Sequence, residues 1–218
     1  GSRRHAKEAA GGDLYDFYMD GNHLYFLIGD VSGKGVPASL FMAITRSLFR
    51  TLSQHVLSPA KIVTEMNNSI SDNNESNMFV TLIVGILDLE TGILKLCNAG
   101  HNPPILIYPD GQVSYLEFKT QIFVGVVEDF KYSDEEVVLE KESKLFLYTD
   151  GVTEAENINK ELYGEEKLLE MLSDNASSDV RTTVNVVVDS IASHVKEAEA
   201  SDDLTILLIQ YEPGTANS

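Results

Sequence analysis

Residues 13–43, DLYDFYMDGNHLYFLIGDVSGKGVPASLFMA, contain the strongest signals for the fold. Two apolar runs, residues 14–19 and 24–28, meet across the polar turn DGN and predict a β-hairpin. The second run leads into GDVSGKG, residues 29–35, which contains Asp30 and three glycines, and a helix then begins at Val36 and Pro37. Glycine permits sharp turns and proline suits the first turn of a helix. Asp30 is therefore expected at a rigid strand end.

The same pattern predicts two more hairpins. They are residues 79–87 with 93–97 across a turn ending in Gly92, and residues 105–108 with 113–116 across the turn PDG. Links this short join antiparallel strands, because parallel strands need a long crossover. Two further strands are predicted over residues 144–149 and 204–211. Both alternating faces of these strands are apolar, so we expect central strands buried on both sides.

Apolar residues at helical spacing predict three helices, each apolar on one side. The stripes are Leu40, Ile44, Leu48 and Leu52; Ile62, Met66 and Ile70; and Val180, Val184, Val187, Ile191 and Val195. Antiparallel strands that are buried on both faces need a packing layer on each face. Helices that are apolar on one side can form the outer layers. The predicted fold class is α+β, a four-layer α/β/β/α sandwich of two antiparallel sheets flanked by helices.

Composition narrows the class of protein. The chain has 218 residues, of which 43% are hydrophobic, and this suffices for one sizeable core. Its 34 acidic and 16 basic residues give a net charge of −18, which argues against nucleic acid or an anionic membrane surface as partner. No apolar run approaches the roughly 20 residues of a membrane span, so we expect no membrane contact by this domain.

The single cysteine and the chain ends give further expectations. Cys97 is alone, so a disulfide framework is impossible and a reducing, cytoplasmic compartment fits; we interpret Cys97 as a buried hydrophobe. We assign residues 11–212 to one domain and residues 213–218 to a tail. Residues 1–10 are interpreted as a cloning scar (Gly-Ser) followed by a linker remnant, since no initiator Met is present.

Four aspartates lie at predicted strand ends or beside glycines: Asp13, Asp30, Asp150 and Asp202. Each alone is a common turn residue. Gathered at one edge of the sheets, the four carboxylates would repel each other unless cations compensated. Oxygen ligands suit hard cations, and no cluster of His or Cys competes with them. The sequence therefore predicts a metalloenzyme with oxygen ligands.

Neighbouring residues leave alternatives open. Asp203 adjoins Asp202, and because successive strand residues point to opposite faces we favour Asp202 as the ligand. Asp16 either orients a metal-bound water or faces solvent. His101 is interpreted as a turn residue rather than a general acid. The string GDVSGKG fails as a phosphate loop, because three residues rather than four separate its glycines and Gly35 follows the lysine.

Six blocks, in order along the chain, resemble a known family. They are GGDLYD (residues 11–16), GDVSGKGVPASLFMA (29–43), MFVTL (78–82), NAGHNPP (98–104), LYTDGVTEA (147–155) and DDLTILLIQ (202–210). Together they are similar to the SpoIIE/RsbU type of bacterial PPM (type 2C) serine/threonine protein phosphatase. The α/β/β/α sandwich is also the fold that this resemblance implies.

The resemblance implies a binuclear site for Mn²⁺ or Mg²⁺. Asp30 would bridge both ions, the Val31 carbonyl would be a further ligand, and Asp13, Asp150 and Asp202 would complete the set. Asp30, Asp13 and Asp150 are thus the expected catalytic carboxylates. A water activated by the two metals would attack the phosphate without a covalent enzyme intermediate. An arginine that holds the phosphate in eukaryotic members has no clear counterpart here.

The resemblance also implies partners. The expected substrate is phosphoserine or phosphothreonine on a STAS-domain anti-sigma-factor antagonist, and the expected regulator is an upstream sensor or receiver domain. We predict low basal activity that an upstream partner or a homodimer contact near residues 36–75 raises. Two other classes stay open: a catalytically weak regulatory or adaptor domain with the same fold, and a metal-dependent phosphodiesterase or nuclease.

Overall fold

The computed structural model describes residues 12–72, 74, 77–196, 198 and 203–213. Within these residues the elements are, in chain order, β1 (Asp13–Asp20), β2 (His23–Val31), α1 (Val36–Leu52), α2 (Pro59–Ser71), β3 (Val80–Asp88), β4 (Ile93–Ala99), β5 (Ile105–Ile107), β6 (Val113–Tyr115), β7 (Glu135–Val138), β8 (Lys144–Tyr148), a 3₁₀ turn (Asp150–Val152), α3 (Glu165–Asp174), α4 (Val180–Val195) and β9 (Ile206–Gln210). None of these helices is long and apolar enough to cross a membrane.

The strands form two antiparallel sheets. The first has the spatial order β1-β2-β3-β4-β7 and the second has the order β6-β5-β8-β9. All three predicted hairpins are present, as the pairs β1-β2, β3-β4 and β5-β6. In the first hairpin Gly21 has a φ of 57°, a conformation that glycine adopts without the steric cost of a Cβ atom.

Side-chain alternation along β2 shows how the layers are built. Tyr25 and Leu27 pack against the core shared with α1 and α2. Phe26 and Ile28 point the other way and pack against Leu145 and other residues of the second sheet. A third core lies between the outer face of the second sheet and helices α3 and α4, and it contains Phe146, Tyr148, Leu168, Leu172, Val187 and Ile191. The predicted α/β/β/α sandwich is therefore confirmed.

Helix α1 begins where the sequence predicts, but its buried face differs from the prediction. Val36 opens the helix and the proline lies in its first turn. Leu40 and Ile44 are 62% and 46% exposed, so the predicted stripe is wrong at these two positions. The fully buried residues are Ala38, Thr45 and Phe49, which follow a second stripe at spacings of seven and four. Both stripes have helical periodicity, and only packing against β1 and β2 distinguishes them.

The other differences concern strand position and missed elements. Strand β8 is central as predicted, whereas β9 is paired only with β8 among the described strands, so its predicted central position is wrong. Both faces of β9 nevertheless contact core clusters. Strand β7 and helix α3 were not predicted, since EEVV lacks strand alternation and α3 begins at a charged stretch.

Two predictions about single segments can also be compared with the structure. Cys97 is a buried free cysteine, and burial raises the pKa of its thiol, which confirms its interpretation as a hydrophobe. Residues 1–10, and all of the tail except residue 213, lie outside the described residues.

Candidate metal centre

Asp13 and Asp30 lie side by side at one end of the first sheet. They are the first residue of β1 and the penultimate residue of β2, and the antiparallel register pairs them directly. The Val31 amide donates to the Gly12 carbonyl over 3.1 Å, which extends this pairing by one residue. The sheet register therefore brings together two of the predicted carboxylates.

Gly12 shows where two of the predicted ligand atoms point. A Cβ atom on Gly12 would lie 2.7 Å from both the Asp30 Oδ1 atom and the Val31 carbonyl oxygen. Both oxygens therefore face the same small space beside the Gly12 backbone. Any side chain at position 12 would displace them, so the glycine is required by close approach.

The second sheet reaches this end of the first sheet through Thr149. The Thr149 hydroxyl donates to the Asp13 Oδ2 atom over 2.7 Å, and it accepts a hydrogen bond from the Thr205 amide over 3.1 Å. Thr149 is fully buried and lies between the end of β8 and Asp150, which starts the 3₁₀ turn. This contact fixes Asp13 relative to the chain segment that carries Asp150.

Burial and, to a smaller extent, neighbouring charge raise the pKa of Asp13. Burial is the main cause that raises this pKa to about 6, while hydrogen bonds from Thr149 and Thr205 act in the opposite direction. The charges of Asp203 and Asp150 raise it further. A cation stabilises the deprotonated form of a buried carboxylate that has acidic neighbours, so these oxygen donors suit a hard divalent metal ion.

The full ligand set remains a prediction. Asp202 lies outside the described residues, and its neighbour Asp203 is placed near enough to influence Asp13 by charge. In the described part of the chain, no three His, Cys, Asp or Glu side chains are grouped closely enough to hold a metal ion as they stand. What the structure places together is Asp13, Asp30 and the Val31 carbonyl, with Asp150 joined to them through Thr149.

Asp16 is buried beside two arginines, so the predicted alternative in which it faces solvent is wrong. It is 4% exposed and accepts hydrogen bonds from Arg46, over 3.2 Å, and from two nitrogens of Arg50. Burial alone would raise the pKa of Asp16, but the two guanidinium groups outweigh it and lower the pKa. Asp16 therefore anchors α1 to β1 and does not face solvent.

His101 is buried, and its main chain confirms the turn that the sequence predicts. The His101 amide donates to the Asn98 side chain over 2.8 Å, and the Asn98 amide group donates back to the His101 carbonyl over 2.9 Å. The imidazole Nδ1 atom lies 3.0 Å from the Thr81 hydroxyl, so the ring contacts a side chain of β3.

Sequence reasoning missed the supporting residues of this site. Gly12 and Thr149 stand next to predicted ligands within the blocks GGDLYD and LYTDG, so adjacency was the available signal. The contact between Asp16 and Arg50 joins residues 34 positions apart, and Thr149 and Asp13 are 136 positions apart. Only the fold reveals such pairs.

The chain is similar in sequence and in fold to known proteins. Phosphoserine phosphatase RsbU of Bacillus subtilis is 26% identical over 91% of this chain and 59% of its own length. The RsbU and RsbW domains of Rv1364c from Mycobacterium tuberculosis superpose with a TM-score of 0.80, at 25% identity, over 97% of this chain and 58% of that chain. RsbX, solved in complex with magnesium, has a TM-score of 0.68 at 20% identity, covering 94% of this chain and 88% of its own.

The chain spans between 35% and 59% of the length of the first curated relatives it matches. The family model described as Stage II sporulation protein E (SpoIIE) matches residues 20–212. This match covers most of the chain and includes Asp30, Asp150 and the segment that joins them. The chain belongs to the SpoIIE family, as its resemblance to SpoIIE/RsbU-type PPM phosphatase domains predicts.

Proposed function

We propose that this domain is a metal-dependent protein phosphatase that hydrolyses phosphoserine or phosphothreonine. Two divalent cations, Mn²⁺ or Mg²⁺, would be held by Asp13, Asp30, the Val31 carbonyl, Asp150 and Asp202. The observation that carries the proposal is the direct pairing of Asp13 with Asp30. The similarity to a protein named phosphoserine phosphatase, and to RsbX with magnesium, supports it.

The residues of the chain have distinct tasks in this proposal. Bound cations would lower the pKa of a water and neutralise charge on the phosphate. Asp30 and the Val31 carbonyl present their oxygens at one place because Gly12 leaves room for them. Thr149 holds the Asp13 carboxylate by a hydrogen bond to its Oδ2 atom, and Thr205 also donates to this carboxylate. With a pKa of about 6, Asp13 is mostly deprotonated at pH 7.5 and able to bind a cation.

For the substrate we propose a phosphorylated STAS-domain protein, as the family resemblance implies. The acidic balance of the chain, −18, disfavours nucleic acid because a polyphosphate backbone is repelled by it. A phosphoprotein presents a single dianionic group, which a pair of cations can compensate locally.

For regulation we propose that an upstream sensor or receiver domain contacts α1. Three apolar residues of this helix are exposed on one side: Val36, Leu40 and Ile44. The helix begins five residues after Val31, and Asp16 ties its C-terminal half to β1 through Arg46 and Arg50. A partner on this face could therefore move the strand ends that carry Asp13 and Asp30.

The contact on α1 can come from an upstream domain of the same chain or from a second copy, and measuring specific activity at several protein concentrations distinguishes the two. An upstream domain acting within one chain gives a specific activity that is independent of concentration, whereas a second copy gives one that rises with it. Leu40→Ser should abolish the activation in either case while preserving the fold, because Leu40 is exposed. Full activity of the isolated domain, unaffected by Leu40→Ser, would contradict the regulatory proposal.

The experiment that tests the proposed activity compares three substrates. Wild-type protein is incubated with a phosphoserine peptide, an aryl phosphate and duplex DNA in Mn²⁺, with and without EDTA. We expect hydrolysis of the two phosphomonoesters, none of DNA, and complete loss with EDTA. Activity that survives in metal-free protein would contradict the proposal.

The same assay distinguishes the two alternatives. A regulatory or adaptor domain would bind a phosphoprotein without releasing phosphate, whatever metal is added. A phosphodiesterase or nuclease would cleave DNA or a diester in preference to the phosphopeptide.

A further inference from the structure

His101 carries a buried imidazole that the proposed reaction does not use. It lies in the loop that follows β4 and is 4% exposed. Hydrogen bonds between its main chain and Asn98 fix the loop, so the position of the ring is set. A side chain this deeply buried does not reach a substrate, and it cannot act as a general acid on the leaving group.

On one side of the ring is the strand that pairs with Asp30. The Nδ1 atom of His101 lies 3.0 Å from the Thr81 hydroxyl. Thr81 is the register partner of Asp30 in the pairing of β2 with β3, and its hydroxyl lies 3.5 Å from the Asp30 carbonyl oxygen. The preceding residue, Gly100, also forms a bridge to Leu82 of β3. The loop that carries His101 therefore lies against the beginning of β3, at the end of the first sheet that carries Asp30.

On the other side of the ring is the second sheet. The main chain of Tyr148 lies near enough to affect the imidazole, and Tyr148 is the last residue of β8, two positions before Asp150. Thr149 lies between them and holds Asp13. The ring therefore lies between the strands that lead to Asp30 and to Asp150.

The imidazole is neutral in this position. Burial lowers the pKa of His101 to about 4, and the main chain of Tyr148 only partly offsets this. A neutral ring has one donor and one acceptor nitrogen. The Nδ1 atom and the Thr81 hydroxyl share a hydrogen bond in which either atom can be the donor, and Nε2 makes no hydrogen bond of good geometry to the described residues. A buried nitrogen in this state is unfavourable for stability, so packing alone does not explain a histidine here.

We propose that His101 is a positioning residue that sets the spacing between Asp30 on one sheet and Asp150 on the other, and thereby the affinity for a divalent cation. This inference rests on the proposed metal site. Residues that orient metal ligands change metal affinity by about 10- to 100-fold when they are replaced, even though they do not touch the metal. His101 contacts the chain segments that carry Asp30 and Asp150, through Thr81 beside the Asp30 main chain and through the main chain of Tyr148.

The test measures Mn²⁺ affinity directly, by calorimetric titration at pH 7.5, alongside urea unfolding. Leucine at position 101 fills the space without polar contacts, and we expect His101→Leu to weaken Mn²⁺ binding about tenfold or more. Glutamine can restore the contact to Thr81, so His101→Gln should recover affinity to within about threefold of wild type. Thr81→Val removes the same hydrogen bond from its other end and should weaken binding in the same direction.

A matched control separates positioning from general loss of stability. Leu172→Ala creates a cavity in the core between the second sheet and α3, away from the strand ends, and should lower stability while leaving Mn²⁺ affinity unchanged. The inference is overturned if His101→Leu and Thr81→Val both bind Mn²⁺ within twofold of wild type, or if Leu172→Ala weakens binding equally. Should His101→Leu fail to fold, Thr81→Val decides alone, and Mn²⁺ affinity within twofold of wild type then overturns the inference. Wild-type protein that binds no Mn²⁺ contradicts the metal site itself, a result distinct from equal affinities among the variants.

Discussion

Replacement of Asp16 by asparagine tests how α1 is held on the first sheet. The Asp16 carboxylate is 4% exposed and accepts bonds from the Arg50 Nε and Nη2 atoms, the Arg46 Nε atom and the Phe17 amide. Asparagine has nearly the same volume, so it leaves no cavity. Its amide group would place donors against the donors of Arg50, and the negative charge would be lost.

The loss of stability expected for Asp16→Asn depends on how exposed Arg46 and Arg50 are. Hydrogen bonds to charged groups contribute about 1.5–3 kcal/mol each. Breaking a fully buried ion pair costs roughly 3–5 kcal/mol, because one charge is left buried. Here the remaining charges belong to Arg46 and Arg50, which are 57% and 43% exposed and can be solvated by water. We therefore expect Asp16→Asn to lower the free energy of unfolding by about 2 kcal/mol, equivalent to roughly 4–8 °C in Tm for a chain of this size.

The assay is urea unfolding followed by circular dichroism at pH 7, with Asp20→Asn as the control on the same strand. Asp20 pairs with His55 over 3.0 Å, and both side chains are exposed or half-exposed, so its loss should cost less than about 0.5 kcal/mol. The claim that Asp16 holds α1 on the first sheet is wrong if the free energy of unfolding of Asp16→Asn lies within about 0.5 kcal/mol of wild type. It is also wrong if the control variant loses as much stability as Asp16→Asn.

The same variant has a defined pH dependence. The pKa of Asp16 in the folded protein is below its ordinary value of 3.8, so its stabilising effect is present above the unfolded pKa. That effect is lost as pH falls through the folded pKa. The stability difference between wild type and Asp16→Asn should accordingly be constant from pH 5 to 8 and shrink at more acidic pH.

Further predictions concern the strand ends. Gly12→Ala should abolish Mn²⁺ binding with the fold retained, as judged by calorimetry and circular dichroism, because its Cβ atom would displace Asp30 and the Val31 carbonyl; unchanged affinity would contradict this. Thr149→Val keeps the volume but removes the bond to Asp13, and phosphate release under subsaturating Mn²⁺ should fall about tenfold or more. Recovery of Thr149→Val at high Mn²⁺ is expected, since the defect lies in ligand orientation.

Much of the fold could be predicted because local signals determine it. The hairpin at Gly21 follows from turn chemistry, and the two-sided burial of β8 follows from a strand that is apolar on both faces. The face of α1 could not be predicted, because Leu40 and Ala38 belong to stripes of equal periodicity. Packing against β1 decides between them.

The sequence indicated the carboxylates of the candidate site, but it did not indicate the residues that hold them in place. Asp13, Asp30 and Asp150 were predicted as ligands because each lies at or next to one end of a strand, beside a glycine or a turn. Their supporting contacts are pairs distant in sequence, such as Thr149 with Asp13. Nothing in the sequence around a lone hydroxyl residue indicates which strand it will face.

The most direct measurement is phosphate release from a phosphoserine protein during Mn²⁺ titration of metal-free wild type, Asp30→Asn and Asp110→Asn. Asp110 is an exposed turn residue at the end of the second sheet away from Asp150, and asparagine can keep its bond to the Gln112 amide, so it is a matched control. We predict that Mn²⁺ restores turnover to wild type and to Asp110→Asn equally, and that Asp30→Asn stays inactive at every concentration while remaining folded. Near wild-type turnover of Asp30→Asn at saturating Mn²⁺ would contradict the metal-dependent mechanism.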